Sequence, residues 1–230
     1  MNIKLPHSPG RIRSKISVHN DSYGLVVEKA NLLIPDISGF TRFVHTTDEV
    51  TGNMIIYRLL SAIMKSNILN LKVAEIEGDA ILFFKKGKKF TPEEILKQYD
   101  LMQKNFNWEV SRLSEEIGEK IDLSLKLIAH YGPTADYKLS GFHKLYGKTV
   151  IAAHRLLKNS IKSNVYVLIT DELLEDPELF LQNHPGFERG SKNCKIHGGL
   201  RNISFVYFDY EKGVIPSSLL DHPGKDMIKV

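Results

Sequence analysis

The sequence predicts an α+β domain, a largely antiparallel sheet with helices packed on it. Three observations carry this. Short apolar runs rich in β-formers alternate with longer amphipathic stretches. A Gly78-Asp79 pair separates two of the apolar runs, which is a tight-hairpin signal. One stretch, 91–118, carries a complete set of helix start and stop residues around a single apolar stripe. Strands and helices mixed in this way, with hairpins between them, suggest a two-layer α+β sandwich, with helices against a largely antiparallel sheet.

The elements follow in order. Residues 1–24 are polar and turn-rich, with Pro6, Pro9 and a small basic cluster of Arg11, Arg13 and Lys15, and read as an extension outside the core. The run 25–35 is rich in Val, Leu and Ile and predicts a strand region whose last part is buried on both faces. Residues 39–45 can start a helix, and 50–68 predict a stronger one, with Met54, Leu60, Ile63, Met64 and Ile68 among its apolar positions. The stretch 72–86 predicts two strands joined at Gly78-Asp79. In the helix 91–118, Thr91 caps, Pro92 suits the first turn and Glu94 completes a capping box. Its stripe of Ile95, Tyr99, Met102, Phe106, Val110, Leu113 and Ile117 steps by three or four, which defines a core-facing side. A strand over 121–131 is expected to stop at Gly132-Pro133, with another over 137–145. A helix over 148–159 follows Gly147; late strands are expected at 165–170 and 203–210, with a helical piece over 171–181 between them. The whole reads as one domain, 25–212, with a C-terminal tail over 213–230.

Composition narrows the function classes. With 230 residues, 42% hydrophobic and 25% charged, the chain has ordinary globular composition. A net charge of +4 suits an anionic ligand, but no dense basic run argues for nucleic acid. The one cysteine, Cys194, rules out an intramolecular disulfide and predicts a reducing compartment. No secretory signal is apparent in the first twenty-five residues, and no stretch approaches the ~20 apolar residues of a membrane span. The expectation is a cytoplasmic protein.

The chemistry concentrates in three places. Asp36 ends an apolar strand just before Gly39-Phe40-Thr41, where a helix can begin. Free N–H groups at a helix start suit phosphate, and a carboxylate beside them can hold a Mg²⁺ that bridges to it. The bland reading is that Asp36 caps the helix. Asp79 has its own bland reading, a turn residue chosen for backbone reasons. Together, two aspartates at strand edges match a metal centre that clamps nucleophile and leaving group. Lys148 and Arg155 lie two turns apart on one helix face, where either can meet triphosphate charge or remain a solvated surface charge.

These segments resemble class III adenylate and guanylate cyclases. Asp36-Ile37-Ser38-Gly39-Phe40-Thr41 is similar to their first metal motif, and Glu77-Gly78-Asp79-Ala80 to their second. Ile128-Ala129-His130-Tyr131-Gly132-Pro133 resembles their Gly-Ile-His-Thr-Gly strand end. The segment 144–155 resembles the one that carries their base-recognition and transition-state residues. The similarity runs over 32–157 in the family's order, and points to an uncharacterised bacterial branch, DUF2652. The resemblance implies the ferredoxin-like class III cyclase fold and a homodimer. It also implies a purine nucleotide, ATP or GTP, bound with Mg²⁺ or Mn²⁺. Asp36, Asp79 and the Ile37 carbonyl would be metal ligands, and the backbone of Ser38, Gly39, Phe40 and Thr41 would hold phosphates with Lys148. Glu75 and Lys144 would meet the base, and Arg155 from the partner subunit would stabilise the transition state.

The departures are specific. Where these cyclases place a ribose-orienting asparagine, the chain has Ile151, which neither donates nor accepts. Glu75 is the guanylate-cyclase choice, since a carboxylate can accept from guanine N1–H and its 2-amino group. Lys144 is neither of the usual residues; it could donate to guanine O6, or pair with Glu75 and close the pocket. Lys148 replaces an aspartate. Two functions therefore stand side by side: a cyclase with weak or altered activity, and a catalytically inactive nucleotide-binding sensor or regulatory module.

Overall fold

The computed structural model describes residues 27–139, 142–196 and 199–213. The extension over 1–24 and nearly all of the tail expected over 213–230 lie outside the described residues. The elements run β1 (Glu28–Ser38), α1 (Phe40–Thr46), α2 (Glu49–Lys65), β2 (Lys72–Glu77), β3 (Ala80–Lys86), α3 (Pro92–Ile117), β4 (Ser124–Leu139), β5 (Phe142–Tyr146), α4 (Lys148–Leu156), β6 (Tyr166–Thr170), a 3-10 turn (Asp171–Leu173), α5 (Pro177–Asn183), β7 (Phe187–Ile196) and β8 (Gly199–Asp209).

The eight strands form one sheet in the order β2-β3-β1-β4-β6-β8-β7, with β5 paired to β4. Among the described residues, only the β4–β6 pairing is parallel. The period-two alternation of the strands separates two cores. On one face Leu33, Ile37, Leu125, Leu127, Ala129, Val167 and Val206 pack against α2 and α3. On the other, Ala30, Leu32, Ile34, Ile128, Leu168 and Phe205 pack against Val150, Ala153 and Leu156 of α4. The two-layer expectation is thereby corrected. Helices cover both faces, because β1, β4 and β6 are apolar on both sides and each side must be shielded from water.

Helix α3 has the expected ends: Thr91 and Glu94 form a reciprocal capping box and Gly118 closes the helix at φ 77°. Ile95, Tyr99, Met102, Phe106 and Leu113 are fully buried along its stripe. In α2 the buried line is Ile55, Leu59 and Ile63, while Met54 and Met64 reach solvent.

Two strand expectations fail. Gly132-Pro133 does not end β4; Pro133 pairs with Lys29, and Tyr137 belongs to the same strand. Pairing with β6 stops at Ala129, so Pro133 has no ladder partner on that side and its missing N–H costs nothing there. Gly132 is needed for another reason: a Cβ there would meet the Thr149 hydroxyl at 2.7 Å, so glycine lets α4 approach. The second failure is β7, for which no strand was expected. It is a polar edge strand, paired only with β8, and lacks the apolar alternation that marks a buried strand.

Candidate functional site

Along β1 the residues facing α4 are Ala30, Leu32 and Ile34, and the next in that series is Asp36 at the end of the strand, 9% exposed. Asp36 pairs across the sheet with Ala80, and the Ile37 N–H donates to the Asp79 carbonyl at 3.2 Å. The β2–β3 turn, with Gly78 at φ 60°, thus brings Asp79 to the end of β1. A cleft of about 390 Å³ opens there, lined by both aspartates, Ile37, Ser38, Gly39, Phe40, Thr41 and Lys126. Gly39 is required: its φ is 90°, and a Cβ would lie 2.8 Å from the Asp122 carbonyl oxygen. Helix α1 beyond it is a short one of seven residues with no side-chain cap.

Two carboxylates and one ammonium set the electrostatics of this cleft. Burial, and then the neighbouring Asp36 carboxylate, push the Asp79 carboxyl up to about 6. The Lys126 ammonium lies 2.8 Å from Asp36. Burial works against its charge, but the hydrogen bond to Asp36 and the charges of Asp36 and Asp79 together outweigh it and its pKa is raised. The hydroxyl of Ser38 is buried and has no hydrogen-bond partner among the described residues. Two close carboxylates that repel each other and an unsatisfied oxygen fit a hard divalent ion, whose ligands are oxygens.

The residues expected at the base lie apart from this cleft. Glu75 on β2 receives the Lys144 ammonium at 2.7 Å and faces His154 Nε2 at 3.0 Å. Burial alone would raise the Glu75 pKa, but the Lys144 hydrogen bond and charge, together with His154, bring it below its usual range. Of the two sequence options for Lys144, pairing with Glu75 is the one found. Arg155 and Lys148 are exposed on α4 and do not line the cleft, and Ile151 is 38% exposed on the same helix. His130 is buried, with Nδ1 2.8 Å from the Thr170 hydroxyl, and burial lowers its pKa.

Sequence reasoning missed Lys126 and His154. The signal for Lys126 was present: in 123–128 the alternation buries Leu123, Leu125 and Leu127 on one face, so Lys126 points to the other face with Asp36. For His154 no local signal exists, because its partner Glu75 is distant in sequence.

Solved structures place the fold. The adenylyl cyclase CyaB from Pseudomonas aeruginosa superposes with a TM-score of 0.60 at 14% identity, over 80% of this chain and 95% of that one. The guanylyl cyclase Cya2 gives 0.58 at 11% identity, over 80% and 93%. A class III adenylyl cyclase-like ATP-binding protein from Pseudomonas aeruginosa gives 0.54 at 20% identity, over 65% and 36%. The chain has the fold of a class III nucleotide cyclase domain.

Residues 56–166 match the family described as protein of unknown function (DUF2652). An uncharacterized protein of Mycobacterium tuberculosis, Rv2561/Rv2562, is 27% identical over 107 residues, which cover 44% of this chain. The match spans half the length of that relative. Among the described residues, no helix is long and apolar enough to cross a membrane.

Proposed function

We propose that this chain is a class III cyclase-like domain that binds a purine nucleoside triphosphate together with a divalent metal. The observation that carries the reading is the cleft in which Asp36, Asp79, the orphaned Ser38 hydroxyl and Lys126 converge. Asp36 and Asp79, with the Ile37 carbonyl, would hold Mg²⁺ or Mn²⁺. Once bound, the ion neutralises phosphate charge and lowers the pKa of a reacting hydroxyl. Lys126, released from Asp36, would turn its ammonium to the phosphates, and the backbone of 38–41 would line their path. One structural relative is itself named an ATP-binding protein, which supports a binding role on this fold.

A second observation favours binding over turnover. Ile151 occupies α4 where a ribose-orienting amide would stand, and Glu75 is already engaged by Lys144 and His154. Losing one preorganised polar contact of that kind costs ~10²–10³ in rate. The reading is therefore a nucleotide-binding module with weak cyclase activity or none. Purified protein incubated with ATP and with GTP plus Mn²⁺, with binding and cyclic product measured in the same samples, tests it. Metal-dependent binding of either nucleotide with little product is the expected outcome. Absence of binding to both would leave only the fold.

A further inference from the structure

A second cluster of metal-ligating side chains lies outside the cleft and shares no residue with it. Glu75 and Glu77 are two apart on β2, so the period-two alternation puts both on one face of the strand. Helix α4 brings His154 onto that face. The nearest ligand atoms of the three side chains all lie within 4.8 Å of one another. Donors arranged tetrahedrally around one Zn²⁺ at about 2.1 Å stand roughly 3.4 Å apart, so side-chain rotation that closes the cluster by about 1.4 Å would bring the three donors onto one ion. The cluster also already attracts a cation. The Lys144 ammonium sits 2.7 Å from Glu75, on the oxygen that His154 does not face.

We propose that Glu75, Glu77 and His154 form a binding site for a transition-type divalent ion, Zn²⁺ above all, and that Lys144 is the resident cation which that ion displaces. The donor set selects the ion. One imidazole with two carboxylates suits Zn²⁺ and its neighbours in the first transition row, whereas Mg²⁺ prefers oxygen ligands alone. Two carboxylates against one ammonium leave a net negative charge for a divalent ion to neutralise. Displacement is easy, because an ion pair whose partners are 39% and 25% exposed is screened and holds weakly. Glu77 is exposed, which gives the ion a path in from solvent. The ion would fix β2 to α4, and it would occupy Glu75 whether or not the chain binds nucleotide. The proposal does not depend on the nucleotide reading.

The test is isothermal titration of chelator-stripped full-length protein with ZnCl₂, and in parallel with MgCl₂, without nucleotide. It is run in an Asp36→Asn/Asp79→Asn background so that the cleft contributes no metal ligands. One Zn²⁺ per chain is expected, with no comparable uptake of Mg²⁺. His154→Ala and Glu77→Gln should each weaken Zn²⁺ binding about tenfold or more, at least the loss seen when a mere supporting partner of a ligand is removed. Lys144→Met should tighten it, since the competing ammonium is gone. Circular dichroism confirms that each variant is folded; Glu77 and Lys144 are surface residues whose replacement leaves the core untouched. The proposal is overturned if no Zn²⁺ binds in that background. It is equally overturned if His154→Ala and Glu77→Gln both bind as tightly as the parent.

Discussion

On the proposed reading, Ile151 is the residue that would separate turnover from binding. Its side chain is partly exposed on α4, in the segment that otherwise resembles the cyclase transition-state helix. If only ribose orientation is missing, Ile151→Asn should raise cyclic-nucleotide formation by roughly 10²-fold with little change in nucleotide affinity, since such a contact acts mainly in the transition state. Asp36→Ala in that background should abolish the gain. A folded Ile151→Asn protein that binds nucleotide with metal yet makes no cyclic product from ATP or GTP would establish the sensor role. Asp79 supports a pH prediction. Its folded value of about 6 stands above the ordinary 3.8, so between these values the folded state holds more protons than the unfolded one. In metal-free protein, stability from this group is fully present below pH 3.8, falls as pH rises through about 6, and reaches its full deficit above that. Asp79→Asn should thus stabilise the metal-free protein at pH 7 by about 1 kcal/mol, allowing for solvent screening of a half-buried group. The gain should vanish towards pH 4 in urea titrations. Divalent-ion affinity should weaken as pH falls below 6, because the ion must then displace a proton.

Among the elements, β1 shows how a buried polar residue serves a connection. Asn31 is fully buried in the middle of an apolar strand. Its amide donates to the carbonyls of Lys85 and Lys88 and accepts from the Phe90 N–H, which straps the β3–α3 loop onto the sheet. Asn31→Ala leaves these loop groups unpaired and should cost about 2–3 kcal/mol in chemical denaturation, well beyond a typical surface change. A milder loss, about 1 kcal/mol, is expected for Thr91→Ala, which removes one half of the α3 capping box. The helix pair α2–α3 is tied by Arg58 to Glu109 and Glu116, and those two carboxylates raise the Arg58 pKa against the effect of burial. Element types were readable because each carries its own period and punctuation. Where reading failed, a neighbour overrode the local signal. Gly132-Pro133 looks like a strand end, yet β1 continues alongside it and holds the chain extended. The polar run of β7 becomes a strand only because β8 supplies its hydrogen-bond partners.

At the scale of the molecule, Arg155 is exposed on α4 and does not line the Asp36/Asp79 cleft. The cyclase resemblance implies that the cleft of one protomer would be completed by Arg155 of another. Tyr146 and Ile76, both large and exposed, are candidates for the surface such a pairing would cover. Light scattering at high concentration with nucleotide and Mn²⁺ should report a dimer, two-fold symmetry being the commonest arrangement. A monomer under those conditions would contradict it. Mixing offers a sharper check in the Ile151→Asn background. Asp36→Ala and Arg155→Ala proteins, each inactive alone, should regain part of the activity when combined, since one of the two composite sites in the mixed dimer would be intact.

By itself the sequence determined the class of fold and the order of most elements, because capping residues, turn pairs and apolar periodicity are local and each leaves its mark within a few positions. It also located Asp36 and Asp79, since each follows or interrupts a strand beside a glycine. Tertiary structure alone decided which charges meet. Lys126 reaches Asp36 only because β1 and β4 are neighbours in that register, and Glu75 meets Lys144 and His154 only because β2, β5 and α4 converge. It also placed α4 on the face opposite α2 and α3, so that Leu157 and Lys158, just beyond that helix, line the cleft. Such pairings depend on strand order and register, and these are fixed by burying both faces of the sheet at once, a condition on the whole chain that no local run of residues expresses.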